Sequence, residues 1–195
     1  YDADGITSTA LLLNVLKQLG ANPKAFIPSR SEDGYGLNKS IIKDIQNQRI
    51  NLLITVDNGI NSIEAINFAS KSGIDVIITD HHKFNQLPED LYGILHPYFT
   101  PLDSPYKYLA GVGLAYLISQ ELSLKLNNIN VLSTAQNLLC IGTIADMAKL
   151  SGANRYWLKK FISQISTTNS IGIYSILKKA RITNKQITSK DIGFK

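Results

Sequence analysis

Two polar clusters that follow apolar segments contain the residue types of a metal-dependent reaction. Asp57 begins an Asp-Asn-Gly cluster directly after residues 52–56, and Asp80 begins an Asp-His-His cluster directly after residues 76–79. Ligands of parallel sheets bind at the carboxyl ends of the strands, so we expect these two clusters to meet at one edge.

Further carboxylates stand beside helical patterns. Asp2 and Asp4 belong to an Asp-Ala-Asp-Gly cluster just before the first helical pattern, and Asp146 closes a later one. Taken alone, an Asp-Asn-Gly is a common turn and an Asp-x-Asp a common helix cap. The combination of all these clusters is what indicates a site.

The combined donor set favours hard or borderline divalent cations. Carboxylates with one or two imidazoles suit Mn²⁺ or Mg²⁺, whereas a structural zinc site would need thiolates. The single cysteine, Cys140, lies in an apolar run and can form no internal disulfide. Two ions bridged by one carboxylate are suited to phosphoester hydrolysis, because they activate water and neutralise phosphate charge.

The apolar segments predict a parallel sheet. Residues 52–56 and 75–79 have the length and β-branched content of buried strands, with a helical pattern over 62–72 between them. Such a βαβ unit makes the two strands parallel. A weaker strand is predicted over 92–95.

Helical periodicity accounts for most of the remaining chain. A first helix is predicted up to Gly20, with Thr7 or Ser8 as its N-cap, and a second over 38–48, after a short extended segment at 25–27. Further helices are predicted over 110–126, 133–147, 152–166 and 171–180. The predicted fold class is therefore α/β, a parallel sheet flanked by helices over residues 1–100, followed by a mostly helical part over 101–195.

Composition predicts one globular domain. The chain has 195 residues, of which 44% are hydrophobic, and no apolar run approaches the roughly 18 residues that span a membrane. No signal-peptide pattern opens the chain, and the lone cysteine fits a reducing compartment. We therefore expect a cytoplasmic protein that does not contact membranes.

The positive charge is concentrated near the carboxyl terminus. The net charge is +5, and residues 155–195 contain nine Lys and Arg against one acidic residue. Such a basic segment could follow a nucleic-acid backbone, or its lysines could be ordinary solvated helix faces.

In their order and separation, these clusters resemble the four motifs of the DHH phosphoesterase superfamily. Within it, residues 30–37, 109–113 and 152–155 resemble the RecJ branch, which contains 5′ to 3′ exonucleases specific for single-stranded DNA. The resemblance runs along essentially the whole chain.

The resemblance implies a role for each candidate residue. Asp2 and Asp57 would bind one Mn²⁺, and the second Mn²⁺ would take the ligands Asp4, Asp57, His81 and Asp146. The catalytic His82 would face the scissile phosphate, and Asp80 would orient the histidines. Arg30 and Arg155 would contact phosphates.

The resemblance also implies what surrounds the chain. We expect a strand upstream of Tyr1, and DHHA1 and oligonucleotide-binding domains downstream, so residues 1–195 alone should be inactive or nearly so. Single-stranded DNA is the expected substrate, a single-strand-binding protein or a helicase the expected partner, and a monomer the expected state.

Two other functions remain open. A different DHH enzyme would hydrolyse short oligonucleotides, nucleotide phosphates or cyclic dinucleotides, and a chain-length series of substrates would separate it from an exonuclease. A degenerate DHH domain could serve as a scaffold without catalysis, but all five proposed ligand positions contain Asp or His.

Overall fold

The sheet has three parallel strands. The computed structural model describes residues 2–28, 36–182 and 186–193. Strands β1 (Leu52–Val56), β2 (Asp75–Thr79) and β3 (Gly93–Leu95) lie in the order β1-β2-β3. β2 pairs in parallel with both neighbours, with Leu52 opposite Asp75 and Ile77 opposite Gly93. The α/β fold class and the parallel βαβ unit are therefore confirmed.

Helices account for most of the other described residues. They are α1 (Ala3–Gln18), α2 (Lys39–Asn47), α3 (Ile63–Lys71), α4 (Gly111–Lys125), α5 (Leu132–Ala145), α6 (Gly152–Phe161), α7 (Ile171–Lys179) and α8 (Ser189–Gly193). The predicted helical second half is confirmed. The helix predicted over 152–166 stays α-helical only to Phe161, and Ile162–Thr167 continues it as a 3₁₀ helix.

The start of α1 differs from the prediction. Thr7 or Ser8 was the expected N-cap, but the cap is Asp2, whose carboxylate accepts a hydrogen bond from the Gly5 amide at 2.9 Å. Asp4 therefore lies in the first helical turn. Thr7 donates its hydroxyl hydrogen to the carbonyl of Ala3, so it is an interior residue of the helix.

The predicted end of α1 is confirmed. Gly20 has a φ of 90°, and the Ala21 amide donates to the Leu16 carbonyl at 3.0 Å. A left-handed glycine with this backward bond closes a helix without the steric cost that a side chain would bring.

Two apolar cores lie on the two faces of the sheet. On one face, buried residues of α1, α4 and α5 form one core with those of α6 and α7; Leu11, Val112 and Leu139 are members. On the other face, α2 and α3 pack over the strands through residues such as Ile42 and Ile66. The first core joins α1 to the helical second half. The helix α1, whose first turn contains Asp4, is therefore held against α4 and α5. In the described part of the chain, no helix is long and apolar enough to cross a membrane.

Candidate metal centre

The carboxyl ends of β1 and β2 bring the two predicted clusters together. The Asp57 amide donates to the Thr79 carbonyl at 2.9 Å, and the Asp80 amide donates to the Leu95 carbonyl at 3.2 Å. The backbone of Asp57 is thus fixed by β2, and that of Asp80 by β3. Asp57 has a φ of 58°, a left-handed conformation that Asp tolerates better than most residues and that turns the chain sharply after β1.

Asp4 reaches this edge from the first turn of α1. Its carboxylate accepts hydrogen bonds from the amides of Gly111 at 2.7 Å and Val112 at 2.8 Å, at the amino end of α4. Burial raises the pKa of Asp4 to about 7, with the charge of Asp57 adding to the effect and the two amides opposing it. Asp4 and Asp57 are therefore two buried carboxylates that repel each other, an arrangement that favours a bound cation.

His81 lies between these two carboxylates. Its Nε2 is 3.0 Å from Oδ1 of Asp57 and 3.7 Å from Oδ2 of Asp4. Burial acts to lower the pKa of His81, but the hydrogen bond to Asp57 and the charge of Asp146 outweigh it, so the pKa is raised. The ring therefore sits where a shared cation would meet an imidazole nitrogen.

Asp146 completes one group of candidate ligands. It caps the end of α5, and one ligand atom from each of Asp4, His81 and Asp146 lies within 4.8 Å of the other two. Atoms held about 2 Å from one ion are separated by such distances. Burial is the main cause that raises the pKa of Asp146.

A second group overlaps the first. Asp57, His81 and His82 also offer ligand atoms within 4.8 Å of one another. Asp2 and Asp57 both lie close to Gly5. A Cβ placed on Gly5 would be 3.4 Å from Oδ1 of Asp2 and 3.3 Å from Oδ2 of Asp57, so the two carboxylates are neighbours. His81 is common to both groups, and Asp57 contacts it at 3.0 Å as a member of the second.

Asp80 holds the histidine loop through hydrogen bonds to both of its carboxylate oxygens. Its Oδ2 accepts the Ile60 amide at 3.0 Å, and its Oδ1 accepts the amides of His81 at 2.8 Å and His82 at 3.1 Å. Burial acts to raise the pKa of Asp80, but these hydrogen bonds and the one from His82 lower it overall. Asp80 is therefore an ionised hydrogen-bond acceptor for the loop.

His82 donates to the same carboxylate through its side chain. Its Nδ1 is 2.7 Å from Oδ1 of Asp80, and this bond raises the pKa of His82 to about 9. Its side chain is 39% exposed, against 20% for His81. Because Nδ1 is occupied, Nε2 is the nitrogen left for another partner.

The donor set fits divalent cations such as Mn²⁺ or Mg²⁺. It consists of carboxylate oxygens and imidazole nitrogens, and the described Cys140 is buried in the helical core, where burial raises the pKa of its thiol to about 12. Burial and the charge of Asp57 both raise the pKa of Asp4, and a bound cation would oppose both effects by stabilising the ionised carboxylate.

Of the two predicted phosphate contacts, Arg30 and Arg155, the structure describes only Arg155. Arg30 lies outside the described residues. Arg155 is exposed on α6, and within the described ranges its guanidinium makes no hydrogen bond or ion pair. Its role as a phosphate contact stays a prediction.

Sequence reasoning gave no role to the residues that anchor the site from a distance. The Gly111 and Val112 amides bind Asp4 across more than 100 positions of sequence, which no periodicity signals. His96, directly after β3, contacts the backbone of His82 at 2.9 Å. The rule that inspects residues after each strand, applied to the weaker third strand, would have found His96.

A parallel sheet whose carboxyl edge gathers Asp and His side chains has the arrangement of a divalent-metal centre. The chain belongs to the DHH family: the model for the DHH family, N-terminal domain, matches residues 1–143. The resemblance seen in the sequence motifs is thereby confirmed.

Known relatives point to one branch of this family. The chain is 34% identical over 194 residues to the single-stranded-DNA-specific exonuclease RecJ of Bacillus subtilis (strain 168). It is also 34% identical over 206 residues to that of Escherichia coli (strain K12). Both alignments include 100% of this chain, which spans 24% and 36% of the two relatives.

Solved structures of RecJ exonucleases also match the fold of this chain. A crystal structure of exonuclease RecJ bound to manganese superposes with a TM-score of 0.87 at 33% identity, over 100% of this chain and 48% of that one. RecJ from Thermus thermophilus in complex with Mn²⁺ gives a TM-score of 0.81 at 29% identity, over 100% of this chain and 27% of that one.

Proposed function

We propose that this protein is a metal-dependent exonuclease of the RecJ type that degrades single-stranded DNA from the 5′ end in DNA repair and recombination. The observation that carries the proposal is the convergence of Asp and His side chains at one sheet edge: Asp4, His81 and Asp146 offer ligand atoms within 4.8 Å of one another, and so do Asp57, His81 and His82. The similarity to RecJ exonucleases, including those crystallised with manganese, supports the substrate and the metal.

We assign two Mn²⁺ ions, or Mg²⁺, to this cluster of carboxylates and imidazoles. Asp2 and Asp57 would hold one ion, and Asp4, Asp57, His81 and Asp146 the other, with Asp57 as the bridge. Bound there, such ions lower the pKa of a coordinated water and neutralise charge on the phosphate. The amides of Gly111 and Val112 bond to the two oxygens of Asp4 and so fix the orientation of its carboxylate.

His82 is the proposed group that faces the scissile phosphate. With its Nδ1 bonded to Asp80 and its pKa raised to about 9, the ring carries a proton on Nε2 at neutral pH. That proton can be donated to the phosphate or to the departing oxygen of the DNA chain. Asp80 acts through His82 as a positioning residue.

Substrate binding would also involve residues outside the metal centre. Arg30 and Arg155 would contact backbone phosphates outside the metal centre. We propose a cytoplasmic monomer that acts with a single-strand-binding protein or a helicase, which would supply the exposed single strand.

The test is a nuclease assay on the full-length gene product. Single-stranded DNA labelled at either end should be degraded with Mn²⁺ from the 5′ end, and EDTA should stop the reaction. A dinucleotide cleaved as well as a long strand would contradict the proposal and favour the small-substrate alternative.

Asp57→Asn is the matching variant. Asn tolerates the left-handed conformation of residue 57 but removes the bridging charge, so we expect kcat to fall by about a thousandfold. The control is Asp75→Asn, an exposed carboxylate at the opposite end of β2, which should keep full activity. Retained activity in Asp57→Asn would refute the bridging assignment.

A further inference from the structure

The side chain of His96 joins the end of β3 to the loop that contains His82. Its Nε2 lies 2.9 Å from the carbonyl oxygen of His82, and its Nδ1 lies 3.0 Å from the amide nitrogen of Tyr98. An amide N–H can only donate, so Nδ1 must be the acceptor. The proton of the neutral ring is therefore on Nε2, which donates to the His82 carbonyl.

The surroundings of His96 favour this neutral form. The residue is 7% exposed, and burial lowers its pKa. The rings of Phe84 and Phe99 flank the imidazole, with centroid distances of 5.2 and 6.2 Å and nearly perpendicular planes. The imidazole is thus held on two sides, and its hydrogen bond to His82 has a fixed direction.

This bond is the third anchor of His82. Its amide and its Nδ1 both bond to Oδ1 of Asp80, while its carbonyl is held by His96. Asp80 precedes His82 by two residues, so both of these bonds are local to the histidine loop. His96 directly follows a different strand, β3, so its bond ties the histidine loop to the end of that strand.

We propose that His96 is a positioning residue for the reaction, which fixes the backbone of His82 so that Nε2 of His82 stays directed at the scissile phosphate. The proposal rests on the proposed function, in which His82 faces that phosphate. Small displacements of a reacting group can cost up to about a hundredfold in rate, so a backbone anchor has a kinetic effect even where it adds little stability.

His96 also caps the short 3₁₀ helix Pro97–Phe99 through Nδ1, which is a purely structural task. Two substitutions separate the tasks. In His96→Asn, the side-chain oxygen can take the place of Nδ1, but the amide is too short to reach the His82 carbonyl. In His96→Gln, the longer amide can reach that carbonyl, while the cap is lost.

The experiment compares both variants with wild type in the full-length gene product. In steady-state assays with single-stranded DNA and Mn²⁺, we expect His96→Asn to lower kcat by about tenfold or more with KM and Mn²⁺ affinity nearly unchanged. His96→Gln should keep kcat within about twofold of wild type, since the anchor is restored. Equal losses in both variants, or no loss in His96→Asn, would overturn the proposal.

A second readout does not depend on activity. Side-chain ¹H–¹⁵N correlation spectra of the metal-free protein report whether Nδ1 of His82 keeps its hydrogen bond to Asp80. We expect the wild-type signal in His96→Gln and a shifted or broadened signal in His96→Asn; an unchanged signal in His96→Asn would contradict the anchor. A wild-type protein without Mn²⁺-dependent hydrolysis would refute the proposed function, and these spectra would still decide the role of His96.

Discussion

Neighbouring histidines in the Asp-His-His cluster have different environments and therefore different chemistry. His81 is directed inward, with Nε2 between Asp57 and Asp4, whereas His82 is more exposed and bonds to Asp80. The bond to Asp80 stabilises the protonated form of His82 and raises its pKa to about 9. One histidine is thus suited to bind a cation and the other to hold a proton.

This difference predicts a pH profile. In wild type, activity should fall as pH rises through about 9, because His82 then loses its proton. In Asp80→Asn the stabilising carboxylate is gone, so this basic limb should move down toward pH 6.5, with kcat about 10 to 100 times lower. The check is kcat against pH for both proteins; a basic limb that stays in place would contradict the assignment of His82.

At the scale of elements, the amino end of α4 determines how closely the site can assemble. Gly111 packs against Asp57, since a Cβ placed on Gly111 would lie 2.6 Å from Cβ of Asp57. The same residue donates its amide to Asp4. The lack of a side chain therefore lets one helix end approach both carboxylates.

Gly111→Ala should damage both packing and metal binding. The added methyl group must push α4 from Asp57, at a cost of about 1 to 3 kcal/mol in the free energy of unfolding. Mn²⁺ affinity should fall by about 10 to 100 times because the Asp4 anchor moves as well. Urea unfolding and Mn²⁺ titration measure the two effects.

Gly172→Ala is the matched control. Among the described residues, a Cβ placed on Gly172, in α7, would meet only the Ser170 hydroxyl oxygen, at 4.0 Å. Ala is the better helix former by up to about 1 kcal/mol, so this variant should be as stable as wild type or more so. A Gly111→Ala protein that matches the control in stability and Mn²⁺ affinity would refute the close-approach argument.

The elements were predictable to different degrees from the sequence. β1 and β2 have the predicted bounds, because both runs are short, mostly apolar and rich in β-branched residues. The cap of α1 was not found, since Thr7 and Ser8 look like caps but are buried against the helices that follow in the chain. The Asp4 anchor on α4 was also missed, because a bond between residues more than 100 positions apart leaves no local pattern.

At the scale of the whole molecule, the site makes stability depend on pH and on metal. The pKa of Asp4 rises from 3.8 to about 7 in the folded protein, and that of His82 from 6.5 to about 9. The folded state thus keeps protons that the unfolded state has lost. For both groups, the contribution to stability is present at low pH and is lost as pH rises through the folded pKa.

We therefore expect the metal-free protein to lose thermal stability between about pH 4 and about pH 9, first through Asp4 and then through His82. For a domain of this size, each kcal/mol lost lowers Tm by about 2 to 4 °C. Mn²⁺ should reverse the loss, most strongly at high pH, where the ligands are deprotonated. Thermal unfolding in EDTA and in Mn²⁺ is the measurement, with Asp4→Asn as a variant that should weaken both effects. A flat or rising Tm in EDTA would contradict this prediction.

The distribution of charge over the molecule bears on how a nucleic acid would approach it. Lys178, Lys179 and Arg181 are exposed at the end of α7, and Lys159 and Lys160 are exposed at the end of α6. Within the described residues, none of them forms an ion pair with a carboxylate. Such cations suit contacts with DNA phosphates, and each contact on a single strand contributes about −0.7 to the slope of log K against log salt.

Binding of single-stranded DNA should therefore weaken steeply between about 50 and about 200 mM salt. Replacing Lys178 and Lys179 with Gln should make the salt slope shallower by about 1.4 if both lysines contact phosphates. The control is Lys39→Gln with Lys43→Gln on α2, over the other face of the sheet, where Lys39 already pairs with Glu64 at 2.9 Å. Equal slopes for the α7 variant and wild type, measured by fluorescence anisotropy, would show that these lysines are only a solvated helix face.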